Sequence, residues 1–303
     1  MNARLQRLIL LLRLCLTLGL AAWLGRWLGL AWGVGVFALG LCASALVMMG
    51  LFAPLRRMPQ PEGVHSPHWG QVLRAWLREW WVYERNFSWR QPFAAQAVAD
   101  YLPQAEASSP GVLLLHGFSC NRGLWRDQLL ALRRRGVPCM ALTLEPAYGS
   151  IDAYAPAILA ALERLRRHGA GAPVVLAHSM GGLALRAAWR AQGHEPGLLA
   201  RVITLGTPHH GTRLARWGQT RNARQMRVDS PWLQQLQASE PAWLAQRFVC
   251  WYGHCDQIVL PTGQAMLAGA DNRHLSGHGH LSLVRAGPVW ASLEEALAGA
   301  APV

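Results

Sequence analysis

Lysine is missing from this 303-residue chain, so all 29 of its basic residues are arginine. Acids are missing too from the first 60 positions, where Arg4, Arg7, Arg13, Arg26, Arg56 and Arg57 stand unopposed. The rest carries 23 Arg against 16 acids, which leaves +7 of the net +13 there. Such a balance suits an anionic membrane surface. The basic residues are scattered and no nucleic-acid-binding motif accompanies them, which argues against a nucleic-acid partner. Internal repeats and low-complexity tracts are also lacking. With 52% apolar residues the chain has ample material for a sizeable core, in one large α/β domain or two small ones.

Polar side chains are scarce between residues 5 and 53. The run "LGLAWGVGVFALGLCASALVMMGLF", residues 28–52, exceeds the roughly 20 apolar residues that cross a bilayer. A second stretch, 8–25, is interrupted by Arg13, whose guanidinium can reach the headgroups from near a helix end. A cleaved signal peptide is the competing reading of this stretch, but no small-x-small cleavage site stands out and another apolar span follows at once. Basic residues precede the first stretch and follow the second, with only Arg26 between them. The positive-inside rule then predicts a hairpin in a bacterial inner membrane with both ends, and the domain beyond, in the cytoplasm. If only the second segment spans, the domain faces the other side. Residues 1–57 thus read as an anchor of one or two transmembrane helices, and 58–109 as a proline-rich linker plus a helix with five tryptophans between 69 and 89. That helix either lies against the bilayer or packs its aromatics on the main domain. Cys15 and Cys42 fall in the apolar segments; Cys120, Cys139, Cys250 and Cys255 are reduced thiols or, outside the cytoplasm, a disulfide pair.

From residue 110 onward short apolar runs alternate with helical patterns. "GVLLLHG", "VPCMALTL", "VVLA", "RVITLGTP" and "RFVCWYGHCD" read as strands, with helices over 122–135, 152–168 and after Leu183. The alternation predicts an α/β class fold, a doubly wound and mostly parallel sheet over 110–303. Residues 212–247, rich in Arg, Trp and Leu, form an expected cap insertion over the site.

In "VVLAHSMGGLALR" a buried strand bends abruptly into a helix, and Ser179 stands at the bend with small residues, Ala177 and Gly181, two places to either side. This is a nucleophile elbow. A serine hydroxyl becomes a strong nucleophile only when a base takes its proton and a carboxylate fixes the base's tautomer. Asp256 leaves an apolar strand in "WYGHCDQIVLP", and His280 precedes a final helix in "SGHGHLSLV". Their order Ser, Asp, His is that of a triad assembled above such a sheet. His278 is the competitor for the base. Oxyanion donors are expected from the backbone N–H groups of Met180 and Phe118, the latter just after the turn at His116-Gly117. Asp271, His274, His278 and His280 are crowded enough to suggest a metal, but no second ligand cluster accompanies them, so neither a metal nor a cofactor is expected. Cys120 lacks an elbow and reads as a packing residue.

The motifs "HGF" at 116, "HSMGG" at 178, "TLGTPHHGT" at 204, "GHCDQIV" at 253 and "GHLSL" at 279 together resemble the α/β-hydrolase superfamily, and within it the bacterial lipase and esterase group, over about residues 110–298. The resemblance implies an α/β-hydrolase fold with Ser179 as nucleophile, Asp256 as acid, His280 as base, and Phe118 with Met180 as oxyanion donors. It also implies that Thr207, Pro208 and His209, in a Thr-Pro-His-x-Gly turn closed by Gly211, shape the pocket wall. His116, Gly117 and His178 complete the expected substrate-binding set. The expected protein is a membrane-anchored serine hydrolase of carboxylic esters, lipid or other long-acyl esters, working through an acyl-enzyme. An acyltransferase on the same triad and a non-catalytic membrane-tethered scaffold are the alternatives.

Overall fold

The computed structural model describes residues 2–103 and 109–299. Asn2–Leu28 (α1) and Leu30–Phe52 (α2) form an antiparallel hairpin that turns at Gly29, whose φ of 99° suits a residue without a Cβ. Small residues let the two helices meet closely: a Cβ on Gly40 would run into the Thr17 methyl, and one on Gly33 would lie 2.8 Å from the Ala21 carbonyl oxygen. The outer faces are apolar and bare, with Leu16, Trp27 and Leu30 at least 70% exposed. Among the described residues, α1 alone is both straight and apolar enough to cross a membrane. The run 28–52, expected as an unbroken span, instead breaks at Gly29 and bends by 51° between Gly40 and Cys42, so it qualifies only if both halves count as one span.

The hairpin is seated by polar bonds at its base. Asn2 Nδ2 donates to the Cys120 carbonyl (2.8 Å), Gln6 Nε2 donates to the Ser119 carbonyl (2.8 Å), and Asn121 Nδ2 donates to Gln6 Oε1 (2.8 Å). The Trp-rich segment forms Trp69–Glu84 (α3), started by a capping box between His68 and Gln71. The bonds of its tryptophans go to the hairpin, a partner that neither reading of the sequence names. Trp76 Nε1 donates to the Ala45 carbonyl (3.0 Å) and Trp80 Nε1 to Ser44 Oγ (3.1 Å), both on α2, whereas Trp69, Trp81 and Trp89 are exposed.

Beyond residue 110 the alternation becomes one six-stranded sheet: Val112–Leu115 (β1), Cys139–Ala141 (β2), Val174–His178 (β3), Arg201–Leu205 (β4), Phe248–Tyr252 (β5) and Asp271–His274 (β6). The order is β2-β1-β3-β4-β5-β6 and every neighbouring pair is parallel. Period-two alternation sorts the side chains. Leu113, Leu115, Val175 and Ala177 pack under Ala155–His168 (α5) and Met180–Ala191 (α6). Val112, Leu114, Val174 and Leu176 pack under Arg126–Arg134 (α4) and the final helix Gly287–Gly299. Both faces being covered, the strands read as nearly continuous apolar runs. The exception is β6, an edge strand reading Asp-Asn-Arg-His, which gives no apolar signal.

Strand order reverses between β1 and β3, the place where open α/β sheets form a crevice beyond the carboxyl ends of their strands. Over 212–247 the chain forms short helical pieces, the longest Pro231–Ser239. This segment is tied to the core by a buried ion pair: Arg186, in the middle of α6, forks onto Glu240 with two 2.7 Å bonds and donates a third to the His209 carbonyl (3.1 Å).

Candidate active site

Ser179 ends β3 and begins α6 with φ 55° and ψ −129°, a region L side chains rarely occupy, so the turn stores strain of order 1–3 kcal/mol. The neighbours show what holds it. A Cβ on Gly181 would stand 2.7 Å from the carbonyl oxygens of both Leu115 and His116, so α6 can start against β1 only with glycine there. Thr207 donates its hydroxyl to the Ser179 carbonyl (2.9 Å) and pins the turn from β4.

The loop after β1 lies directly on Ser179: a Cβ on Gly117 would approach Ser179 Cβ to 2.7 Å. In that loop the Cys120 N–H donates to the Gly117 carbonyl (3.2 Å), closing a turn with Phe118 at its second position. Met180 is the first residue of α6, where a backbone N–H has no intrahelical acceptor. His116 braces the loop from beneath. Its Nδ1 donates to the Gly117 carbonyl (2.8 Å) and its Nε2 accepts from the Leu144 N–H (2.9 Å). Burial lowers its pKa to about 4, so the ring is neutral, as these two bonds require.

Asp256 and His280, the expected acid and base, meet across the loops that follow β5 and β6. Asp256 Oδ2 accepts from His280 Nδ1 at 2.8 Å, while Oδ1 accepts from the N–H groups of Ile258 and Val259 (2.8 and 2.9 Å). Both side chains are almost fully buried. Burial disfavours the imidazolium, but the Asp256 charge and hydrogen bond, helped by Glu79, outweigh it and hold the His280 pKa above its ordinary value. His178, beside Ser179 in sequence, brings its ring centroid to 4.6 Å from that of His280 and donates from Nε2 to the His280 carbonyl (3.1 Å). Burial and the neighbouring His280 push the His178 pKa well below its ordinary value, so it adds no competing positive charge.

Ser179 and His280 open on the same cavity of about 250 Å³, which is lined mainly by apolar surface. Phe118 and His178 line it. Met48 and Leu51 of α2, Tyr83 of α3 and Phe87 just beyond α3 line it too. From the segment 212–247 only Leu214 is among the described lining residues. His116, Gly117, Thr207, Pro208 and His209 are not among the described lining residues, although Gly117 lies against Ser179. His209 in particular is bonded to Thr204, Arg186 and Cys250 beneath the sheet end. His278 is turned away from Asp256, its Nε2 accepting from Arg78 (3.0 Å). Asp271 pairs with Arg273, and His274 stacks edge-on against His254. Cys120, Cys139, Cys250 and Cys255 are buried free thiols, and burial raises the Cys120 pKa to about 12, too high for a thiolate nucleophile.

Two polar residues of this site carry no function in the sequence reading. Gln257 Oε1 accepts from the His280 N–H (3.1 Å), and Glu79, on α3, is fully buried against the same loop. For Gln257 the only sequence signal is its place after the acid. Glu79 offers a better one: it falls on one stripe of α3 with Val72, Ala75 and Val82, an acid on the buried face.

Gly206 ends β4 with φ 53°, and a Cβ there would lie 2.7 Å from Asp256 Oδ2 and 3.0 Å from His280 Nδ1. Gly206→Ala is therefore expected to wedge the acid from the base and lower kcat about 100-fold, with a further ~1 kcal/mol lost from stability through the positive φ. Ester hydrolysis and thermal unfolding measured on one preparation check both.

The alpha/beta hydrolase family profile matches residues 112–299, and the chain belongs to that family. None of the curated proteins matches it. Among solved structures, Aspergillus fumigatus lipase B superposes with a TM-score of 0.56 at 18% identity, over 69% of this chain and 58% of the lipase. The mature form of Bacillus licheniformis lipase BlEst2 gives 0.55 at 17% identity, over 66% of this chain and 96% of the other. The chain thus spans little more than half the fungal lipase, and likeness at this identity is one of fold.

Proposed function

We propose that this protein is a membrane-anchored hydrolase of long-acyl or lipid carboxylic esters, with Ser179, His280 and Asp256 as its triad. One observation carries the reading: the cavity at Ser179 is walled by Met48 and Leu51 of an apolar hairpin helix, so an acyl chain placed there would touch the part of the chain best suited to a bilayer. The seating of Asn2 and Gln6 on the Ser119–Asn121 loop favours retention of α1 over its removal as a signal sequence. Both hairpin ends stand at the hydrolase domain, and the arginines at those ends favour the cytoplasmic side.

In the proposed reaction Ser179 Oγ attacks the ester carbonyl as its proton passes to His280 Nε2. The Nδ1–H stays on Asp256, and the Phe118 and Met180 amides hold the oxyanion, each worth about 3 kcal/mol. The imidazolium then protonates the departing alkoxide. Water, deprotonated by the same nitrogen, cleaves the acyl-enzyme and restores the serine.

The test uses the full chain in detergent micelles. A fluorophosphonate probe is expected to label Ser179, and p-nitrophenyl esters are expected to be cleaved with kcat/KM rising from acetate toward longer chains. Activity confined to acetate and butyrate would remove the long-acyl part of the reading, and an unlabelled Ser179 would remove the catalytic part.

A further inference from the structure

The loop that carries His280 is held by a residue from outside the family match. Glu79 Oε1 accepts from the Leu281 N–H (2.6 Å) and from Gln257 Nε2 (3.0 Å), and its Oε2 accepts from the Ser282 N–H (2.9 Å). Gln257 in turn accepts the His280 N–H (3.1 Å). The backbone of His280 and the two residues after it is therefore fixed, directly or through one amide, by a single carboxylate. That carboxylate has no exposed surface, and its side chain fits so closely that a Cβ on Gly279 would lie 2.8 Å from Glu79 Cδ. Burial raises the Glu79 pKa above its ordinary value, against the pull of the N–H donors and His280. All three bonds run from N–H donors into the carboxylate, which is the pattern of an acceptor-only, ionised group.

We infer that Glu79 is a positioning residue for the catalytic base, so that α3, outside the hydrolase fold, completes the active site. The inference rests on the hydrolase reading. Glu79 sets the height of the His280 ring through Gln257 and the 281–282 amides, while Asp256 sets its rotation. The groups facing His280 are Asp256 from the β5 loop, Glu79 from α3 and His178 from β3, and the first two both favour its imidazolium. Because α3 is bonded through Trp76 and Trp80 to α2, the seat of the hairpin also sets the seat of the base.

Glu79→Gln preserves the shape but turns one acceptor into a donor. The oxygen of the introduced amide can keep the bonds from Leu281 and Gln257, which leaves its nitrogen against the Ser282 N–H. In the full chain in detergent, with active protein counted by fluorophosphonate titration, kcat for a p-nitrophenyl ester is expected to fall about 100-fold with KM changed less than about threefold. The acid limb of kcat/KM is expected to move to lower pH, since a negative charge that favours the imidazolium is gone. A purely structural role would change the titrated fraction and leave the limb in place. Should the variant fail to fold, Gln257→Met, which removes the amide that links Glu79 to the His280 N–H and leaves the Leu281 and Ser282 bonds to Glu79 in place, is expected to lower kcat about tenfold. A Glu79→Gln enzyme with kcat within twofold of wild type and an unmoved limb overturns the inference, as does an unchanged kcat in Gln257→Met. A wild-type chain whose Ser179 the probe does not label overturns the hydrolase reading, and the role of Glu79 with it.

Discussion

Ser179→Ala is expected to lower the turnover of any accepted ester by about 10⁶-fold, to the level left by oxyanion contacts and binding. The size follows from what the hydroxyl alone supplies. Near Ser179 there is no substitute nucleophile among the described residues: Cys120, in the adjoining loop, is buried with its pKa raised to about 12. Alanine keeps the Cβ and the unusual backbone angles, so the fold should survive with its strain unrelieved. Parallel assays of wild type and variant, with fluorophosphonate labelling as the control for contaminating esterases, decide the matter. A variant that kept a tenth of the activity would place the chemistry elsewhere.

Asp256→Asn is expected to cost about 10⁴-fold in kcat, for a reason set by the surrounding donors. Oδ1 already accepts from the N–H groups of Ile258 and Val259, so asparagine must keep its oxygen there. Its NH₂ then faces His280 Nδ1, which has to become an acceptor. The ring proton moves to Nε2, the atom that should take the serine proton. The pH profile carries a second signature. Because the His280 pKa is raised, the base is lost as pH falls through a value above about 6.5, and wild-type kcat/KM should decline from there downward. Without the Asp256 charge that acid limb should move to lower pH. Rate profiles between about pH 5 and 9 on both proteins, normalised to folded protein, test the sign.

Much of this site can be read from the chain because its geometry is local. The elbow needs small residues beside Ser179, and they are there in sequence; strands buried on both faces announce themselves as apolar runs. The pairing of Asp256 with His280 is legible because both lie in loops that follow strands of one sheet. Where contacts are distant in sequence, legibility fails. Glu79 reaches Leu281 across 202 residues, and nothing in a tryptophan-rich helix says which loop its lone buried acid will meet. The edge strand β6 escapes a hydropathy reading because its partner lies on one side only and its residues are polar. The Thr207-Pro208-His209 turn, expected as pocket wall, is absent from the described lining and pins the elbow through Thr207, a distinction that a motif does not encode.

The fork of Arg186 onto Glu240 bears on how this protein comes apart when heated. Peeling residues 212–247 away would leave a guanidinium stranded inside the core, a penalty of about 3–5 kcal/mol that no fraying segment recovers. The helices of residues 212–247 and the serine-bearing helix are therefore expected to form one cooperative unit and melt together, in a single calorimetric step.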